Sequence, residues 1–169
     1  MPISVMVDRS SAYVSADMTP HKGNVFHAVK RLAQNIKTLG YKRLILKSDQ
    51  EPAIESLTEA VIRERPDDIM IEDSPVYSHQ SNGLVERTIS KVQGQVHTMR
   101  SAFESRIRAG VNSSWGIVPW LVRHAAATIS RFNVGGDVET PHSRVRWRKC
   151  RGEYCECGEI IMCMKNRPQ

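Results

Sequence analysis

Apolar positions alternate with polar ones in two short runs near the amino terminus, Ile3–Asp8 and Ala12–Met18, separated by Arg9-Ser10-Ser11. A period of two on either side of a Ser-containing turn predicts a β-hairpin. The period then changes: Val25, Val29, Leu32, Ile36 and Leu39 recur every three or four residues, opened by Gly23-Asn24 and stopped by Gly40. This is one amphipathic helix whose stripe packs on a sheet. Leu44-Ile45-Leu46 is a strand-like run that Asp49 closes. Pro52 suits a first helical turn, with Ile54, Leu57 and Val61 on one side of the following helix and Glu55 and Glu59 on the other. Ile69-Met70-Ile71 predicts a short strand. From Gly83, the stripe Val85, Ile89, Val92, Val96, Met99 and Phe103 steps by four and three, enough for a helix of about six turns. A last long helix, Trp115 to Phe132, turns Ile117, Leu121, Ala125, Thr128 and Phe132 inward and leaves Trp120 and His124 as core or dimer contacts.

Strand and helix runs in this order predict an α/β layer architecture. Residues 1–133 hold all the strongly periodic elements and read as one domain. Residues 134–158 read as a basic connector with a short helix at Thr140 to Trp147, and residues 159–169 as the start of a further segment, with Gly158 to Met162 strand-like. At 169 residues and 40% apolar content the chain can bury a sizeable core. No apolar run approaches membrane-spanning length, and Met1-Pro2-Ile3-Ser4 lacks the charged and apolar parts of a signal peptide, so an intracellular protein without a membrane partner is expected. The four cysteines, Cys150, Cys155, Cys157 and Cys163, crowd together without the paired C-x2-C arms that suit tetrahedral zinc.

The candidate chemistry lies in two acids. Asp49 follows the strand Leu44-Ile45-Leu46, and Glu86 opens the long helix, with 36 residues between them. Glu86 lies about 100° around the helix from Val85, so it can face a site instead of the core. Carboxylates held close together repel unless a cation sits between them, and hard divalent ions take oxygen ligands of this kind. The alternative for Glu86 alone is a first-turn acid favoured by the helix dipole, worth about 0.3–1 kcal/mol.

Lys47-Ser48-Asp49 together with His79-Gln80-Ser81-Asn82-Gly83-Leu84-Val85-Glu86-Arg87 resembles the catalytic core of retroviral and long-terminal-repeat retrotransposon integrases. That family's signature is Asp, then Asp, then about thirty-five residues, then Glu. The resemblance runs from Ile3 to about Asn133, and its most specific part is the Gln-Ser-Asn-Gly-x-x-Glu-Arg segment. It implies an RNase H-like mixed sheet flanked by helices, here with the first strand missing and a basic carboxy-terminal extension. It also implies metal-dependent polynucleotidyl transfer, with 3′-end processing and strand transfer, in a nuclear protein of a transposable element. Asp49 and Glu86 would be the catalytic metal ligands for Mg²⁺ or Mn²⁺. Ser74 to Asn82 would form a mobile loop, with Tyr77 and Asn82 contacting DNA. Partners would be element ends and target DNA, in a homodimer or higher multimer.

The family's first Asp has no counterpart, because its strand would precede Ile3. Asp8 reads as a polar residue at a strand end leading into a turn, and Asp17 as solvated. Without the ligand shared by both ions of a two-metal site, the remaining pair is expected to hold a cation loosely and the chain to be weak or inactive, as a fragment or a reading frame called from a late start would be. A non-catalytic nucleic-acid-binding or multimerising module is the alternative, and an RNase H-like nuclease a third.

Charge sharpens the partner. Residues 1–86 hold ten Lys or Arg against twelve acids, residues 87–151 twelve against three, and residues 152–169 two against three. The basic excess is therefore confined to the middle. Arg87 and Lys91, one helical turn apart, and Arg144, Arg146, Arg148 and Lys149 beyond the core helices are the candidate phosphate contacts.

Overall fold

The computed structural model describes residues 1–48, 50–65, 68–73 and 79–150, with the side chains of 73–82 outside that description. Strands β1 (Ile3–Val7) and β2 (Val14–Met18) form an antiparallel hairpin in the register Ile3↔Met18 to Val7↔Val14. Its turn closes with the Asp8 N–H donating to the Tyr13 carbonyl (2.9 Å) and the Ala12 N–H to the Asp8 carbonyl (2.8 Å). Helix α1 (Phe26–Leu39) follows, and Gly40 ends it at φ 77°, ψ 9°, its N–H on the Lys37 carbonyl. Glycine enters that left-handed region without the steric cost a Cβ imposes.

Strand β3 (Arg43–Ser48), helix α2 (Pro52–Glu64) and strand β4 (Asp68–Asp73) make a parallel crossover unit, paired from Arg43↔Asp68 to Ser48↔Asp73. The ladder runs past the expected Ile69–Ile71 because cross-strand ion pairs extend it, Arg43 to Asp68 at 2.6 Å and Lys47 to Glu72 at 2.7 Å. Helix α3 (His79–Ile107), helix α4 (Ile117–Phe132) and helix α5 (Pro141–Arg146) complete the order.

The mixed character of the fold comes from these two strand pairs, one antiparallel and one parallel, banked on a common helical layer. Met6 of β1 and Leu44 and Leu46 of β3 pack on one cluster formed by Ala28, Val29, Ala33 and Ile36 of α1 with Leu57 and Val61 of α2. The other face of the hairpin, Val5, Val7, Val14 and Ala16, packs on Val92 and Val96 of α3 and Val122, Ala126 and Ile129 of α4. The alternation read from sequence thus feeds two cores, one on each side of the hairpin. Among the described residues no helix is long and apolar enough to cross a membrane.

Three expectations change. Helix α3 begins at His79, so the end of the Ser74–Asn82 loop is helical. A glycine inside a helix costs only about 1 kcal/mol relative to alanine, and each added residue gains a main-chain hydrogen bond, so Asn82-Gly83 does not stop the helix. Phe132, expected inward, is 51% exposed: α4 meets the first residue of β2 at Ser130 and runs on past it. Asp17, expected in solvent, is buried. Its carboxylate meets Arg31 Nε at 3.0 Å, Asn35 Nδ2 at 2.8 Å and Arg123 Nε at 3.4 Å, tying β2 to α1 and α4.

Candidate functional site

Strand β3 ends at Ser48, so the chain passes directly from the sheet to Asp49, which lies outside the described residues, as does Tyr77. Asn82 is in α3, and its side chain is outside the description. Glu86 is described: it sits in the third turn of α3 with its side chain exposed. The opposite side of α3 carries Thr88, whose hydroxyl donates to the Leu84 carbonyl at 2.8 Å, and Val92, which is fully buried. The apolar stripe therefore turns Glu86 outward. Arg87 and Lys91 are exposed on the same helix, and Arg87 Nε donates to the Gly83 carbonyl at 3.0 Å.

The two acids considered as substitutes for a third ligand are already committed. Asp8 accepts from the Ser11 N–H (2.9 Å), the Ser11 hydroxyl (2.5 Å) and the Tyr41 hydroxyl (3.0 Å), the turn-capping role expected of it. Burial, and then Asp8, raises the Tyr41 phenol above its ordinary pKa. Asp17 neutralises Arg31 and Arg123, as described above. Among the described residues no three His, Cys, Asp or Glu side chains cluster to hold a metal ion. A carboxylate oxygen set from Asp49 and Glu86 fits a hard divalent cation in donor type, and Glu86 is the member whose position is described.

The basic residues beyond α4 divide into two kinds. Arg144 is half-buried and used internally: its guanidinium donates to the Ser11 carbonyl (2.8 Å), the Glu139 carbonyl (3.2 Å) and the Asp137 carboxylate (2.5 Å). Arg144 in turn holds the Asp137 carboxyl below the ordinary carboxylate range. Arg146, Arg148 and Lys149 are exposed. His142, beside them, is pushed below the usual histidine pKa by burial and then by Arg131 and Arg146. Trp147, expected only as the end of a short helix, is 92% exposed. The available signal was its position between Arg146 and Arg148. Trp120 stacks on His124 at 4.4 Å between ring centroids, with Trp120 still 42% exposed. The strand expected at Gly158–Met162, and Cys155, Cys157 and Cys163, lie outside the described residues.

The architecture is similar to that of retroviral integrases. A chain of the simian T-cell lymphotropic virus intasome, solved by cryo-electron microscopy in complex with PP2A regulatory subunit B56 gamma, aligns over 96% of this chain with a TM-score of 0.64 and 21% identity. This chain spans about half of that one, 54%. The crystal structure of the catalytic core domain of BIV integrase aligns over 86% of this chain and 85% of its own length, with a TM-score of 0.53 and 22% identity. No protein-family model matches the sequence, and no curated protein matches it. The chain has the integrase catalytic-core fold.

Proposed function

We propose that this chain is the DNA-handling core of a retrotransposon integrase, acting in the nucleus as a homodimer or higher multimer. In the intact parent it would carry out metal-dependent 3′-end processing and strand transfer. The observation that carries this reading is the coincidence of the integrase-core fold with Glu86 exposed on α3 and with Asp49 as the next residue in sequence after β3. Fold likeness alone supports no chemistry, and an Asp and a Glu alone support no fold. The conjunction is what argues for phosphodiester chemistry.

Asp49 and Glu86 would hold the divalent cation, Mg²⁺ or Mn²⁺, which when bound supplies Lewis-acid stabilisation of phosphate oxygens. The protein's own contribution is to hold Glu86 outward on a helix anchored by Val92, and to present Arg87 and Lys91 one turn apart toward a phosphate backbone. Arg146, Arg148 and Lys149 add further backbone contacts, while Arg144 holds their segment in place. Trp120, half exposed against His124, is the candidate contact between copies.

Asp8 and Asp17, engaged elsewhere, do not supply a third ligand, and among the described residues no group of three acids, histidines or cysteines does. A loosely held cation and little or no strand transfer follow, which favours the non-catalytic nucleic-acid-binding module as the second reading. Titration of the full chain with Mn²⁺ should show weak binding that Glu86→Gln and Asp49→Asn each reduce. A strand-transfer assay should give no joining above the Asp49→Asn control. Metal-dependent joining that the control loses would restore the active-enzyme reading. Mn²⁺ binding indifferent to both substitutions would remove the proposed metal ligands.

A further inference from the structure

Packing does not explain where Trp147 stands. It is the most exposed large apolar residue among those described, at 92%. Its backbone lies at φ 55°, ψ 24°, a left-handed conformation that bulky residues rarely adopt and that persists where surroundings impose it.

The surroundings do impose it. Helix α5 has only six residues, but both of its ends are secured. At its start the Thr140 hydroxyl accepts from the Ser143 N–H at 3.2 Å, and the Ser143 hydroxyl accepts from the Thr140 N–H at 3.0 Å. At its end the Trp147 N–H donates to the Ser143 carbonyl at 2.7 Å. Arg144 ties the middle to the hairpin turn through the Ser11 carbonyl. The backbone under the indole is thus fixed while the ring itself projects.

Among the described residues the charges around the ring are unbalanced. Arg146, Arg148 and Lys149 are exposed, and none forms an ion pair with a described residue. Of the described acids that precede the ring, Asp137 is engaged by Arg144 and Glu139 by the Ser143 hydroxyl. A fixed aromatic face flanked by exposed cations is what a single-stranded nucleic acid requires, the ring stacking on a base and the cations following the backbone. A base inside a duplex offers no free face to an indole.

We propose that Trp147, with Arg146, Arg148 and Lys149, forms a stacking site for an unpaired nucleotide. The inference rests on the nucleic-acid reading above and narrows it to a strand with unpaired bases. Fluorescence anisotropy of the full chain with a labelled oligothymidylate and with a blunt duplex of equal length tests it. Trp147→Ala should weaken oligothymidylate binding about tenfold and leave duplex binding within about twofold. Trp147→Phe should retain most of the single-strand affinity, and combined Arg146→Ala, Arg148→Ala and Lys149→Ala should weaken both ligands. Quenching of indole fluorescence by oligothymidylate should be smaller in Trp147→Phe than in the unaltered chain. If Trp147→Ala binds oligothymidylate as the unaltered chain does, or loses duplex binding equally, the stacking site is overturned while the basic contacts stand. If the unaltered chain binds neither ligand, the nucleic-acid reading falls as well.

Discussion

Ser130 shows how one hydroxyl can join two layers of the fold. It is 1% exposed, and its Oγ both accepts from the Val14 N–H and donates to the Val14 carbonyl, each at 2.9 Å. These main-chain groups sit at the edge of β2, where an unpaired strand would otherwise need water or another strand. Ser130→Ala removes both bonds and leaves two buried main-chain groups without partners, so a loss of about 2 kcal/mol in unfolding free energy is expected. Denaturant titration checks it, with a shifted midpoint and an unchanged slope; an unshifted midpoint would mean that Val14 is satisfied without Ser130. This contact was not legible in the sequence, since the α4 stripe was read from apolar residues and Ser130 lies 116 positions from its partner. Asp17 hid for the same reason. Its place on an alternating strand was legible, but Arg31, Asn35 and Arg123 reach it only after the helices pack.

Elements with strong periodicity and local stop signals were the most legible. The α1 stripe with Gly40 after it, the alternation of β1 and β2, and Pro52 in the first turn of α2 are all local chemistry, and each sits where the pattern put it. The start of α3 was misplaced because Asn-Gly is a turn signal only when no helix is competing for it. The spacing of Asp49 and Glu86 was legible, and so was the outward direction of Glu86, which the apolar face of α3 decides. Helix α5 carries an element-level consequence of its own. Burial, reinforced by Arg131 and Arg146, depresses the His142 pKa in the folded chain, whereas the unfolded chain has the ordinary value near 6.5. Above about pH 6.5 both states are neutral and stability is complete. As pH falls from there toward the depressed folded value, the unfolded chain binds a proton the folded one resists, and stability is lost. His124 has a pKa shifted the same way, by burial and then Arg131. Thermal unfolding between pH 7.5 and 5.5 should therefore show a falling midpoint, less steep in His142→Gln and less steep again with His124→Gln added. An undiminished slope in both variants would place the titration elsewhere.

Across the whole molecule, charge is distributed in a way that no single element reveals. The amino-terminal half nearly balances its acids, many of them in cross-element ion pairs such as Lys22 with Glu51, Arg43 with Asp68 and Lys47 with Glu72. From residue 87 to 151 cations outnumber acids twelve to three, and two of those three acids, Glu104 and Asp137, are paired with Arg100 and Arg144. The long-range field is therefore set by exposed cations on α3 and at the end of α5, among them Arg87, Lys91, Arg146, Arg148 and Lys149. If these five each neutralise a phosphate, log affinity for duplex DNA falls with log salt at a slope of about −4.5. Raising salt from about 50 to 200 mM then costs roughly 500-fold in affinity. Removing Arg87 and Lys91 together should reduce the slope by about 2, as should removing any two of the α5 group, while Arg144→Gln should act on stability more than on slope. Binding isotherms at four or five salt concentrations decide it. A slope that ignores the α3 pair but responds to the α5 group would confine the nucleic-acid surface to the carboxy-terminal tip and take the phosphate backbone away from Glu86.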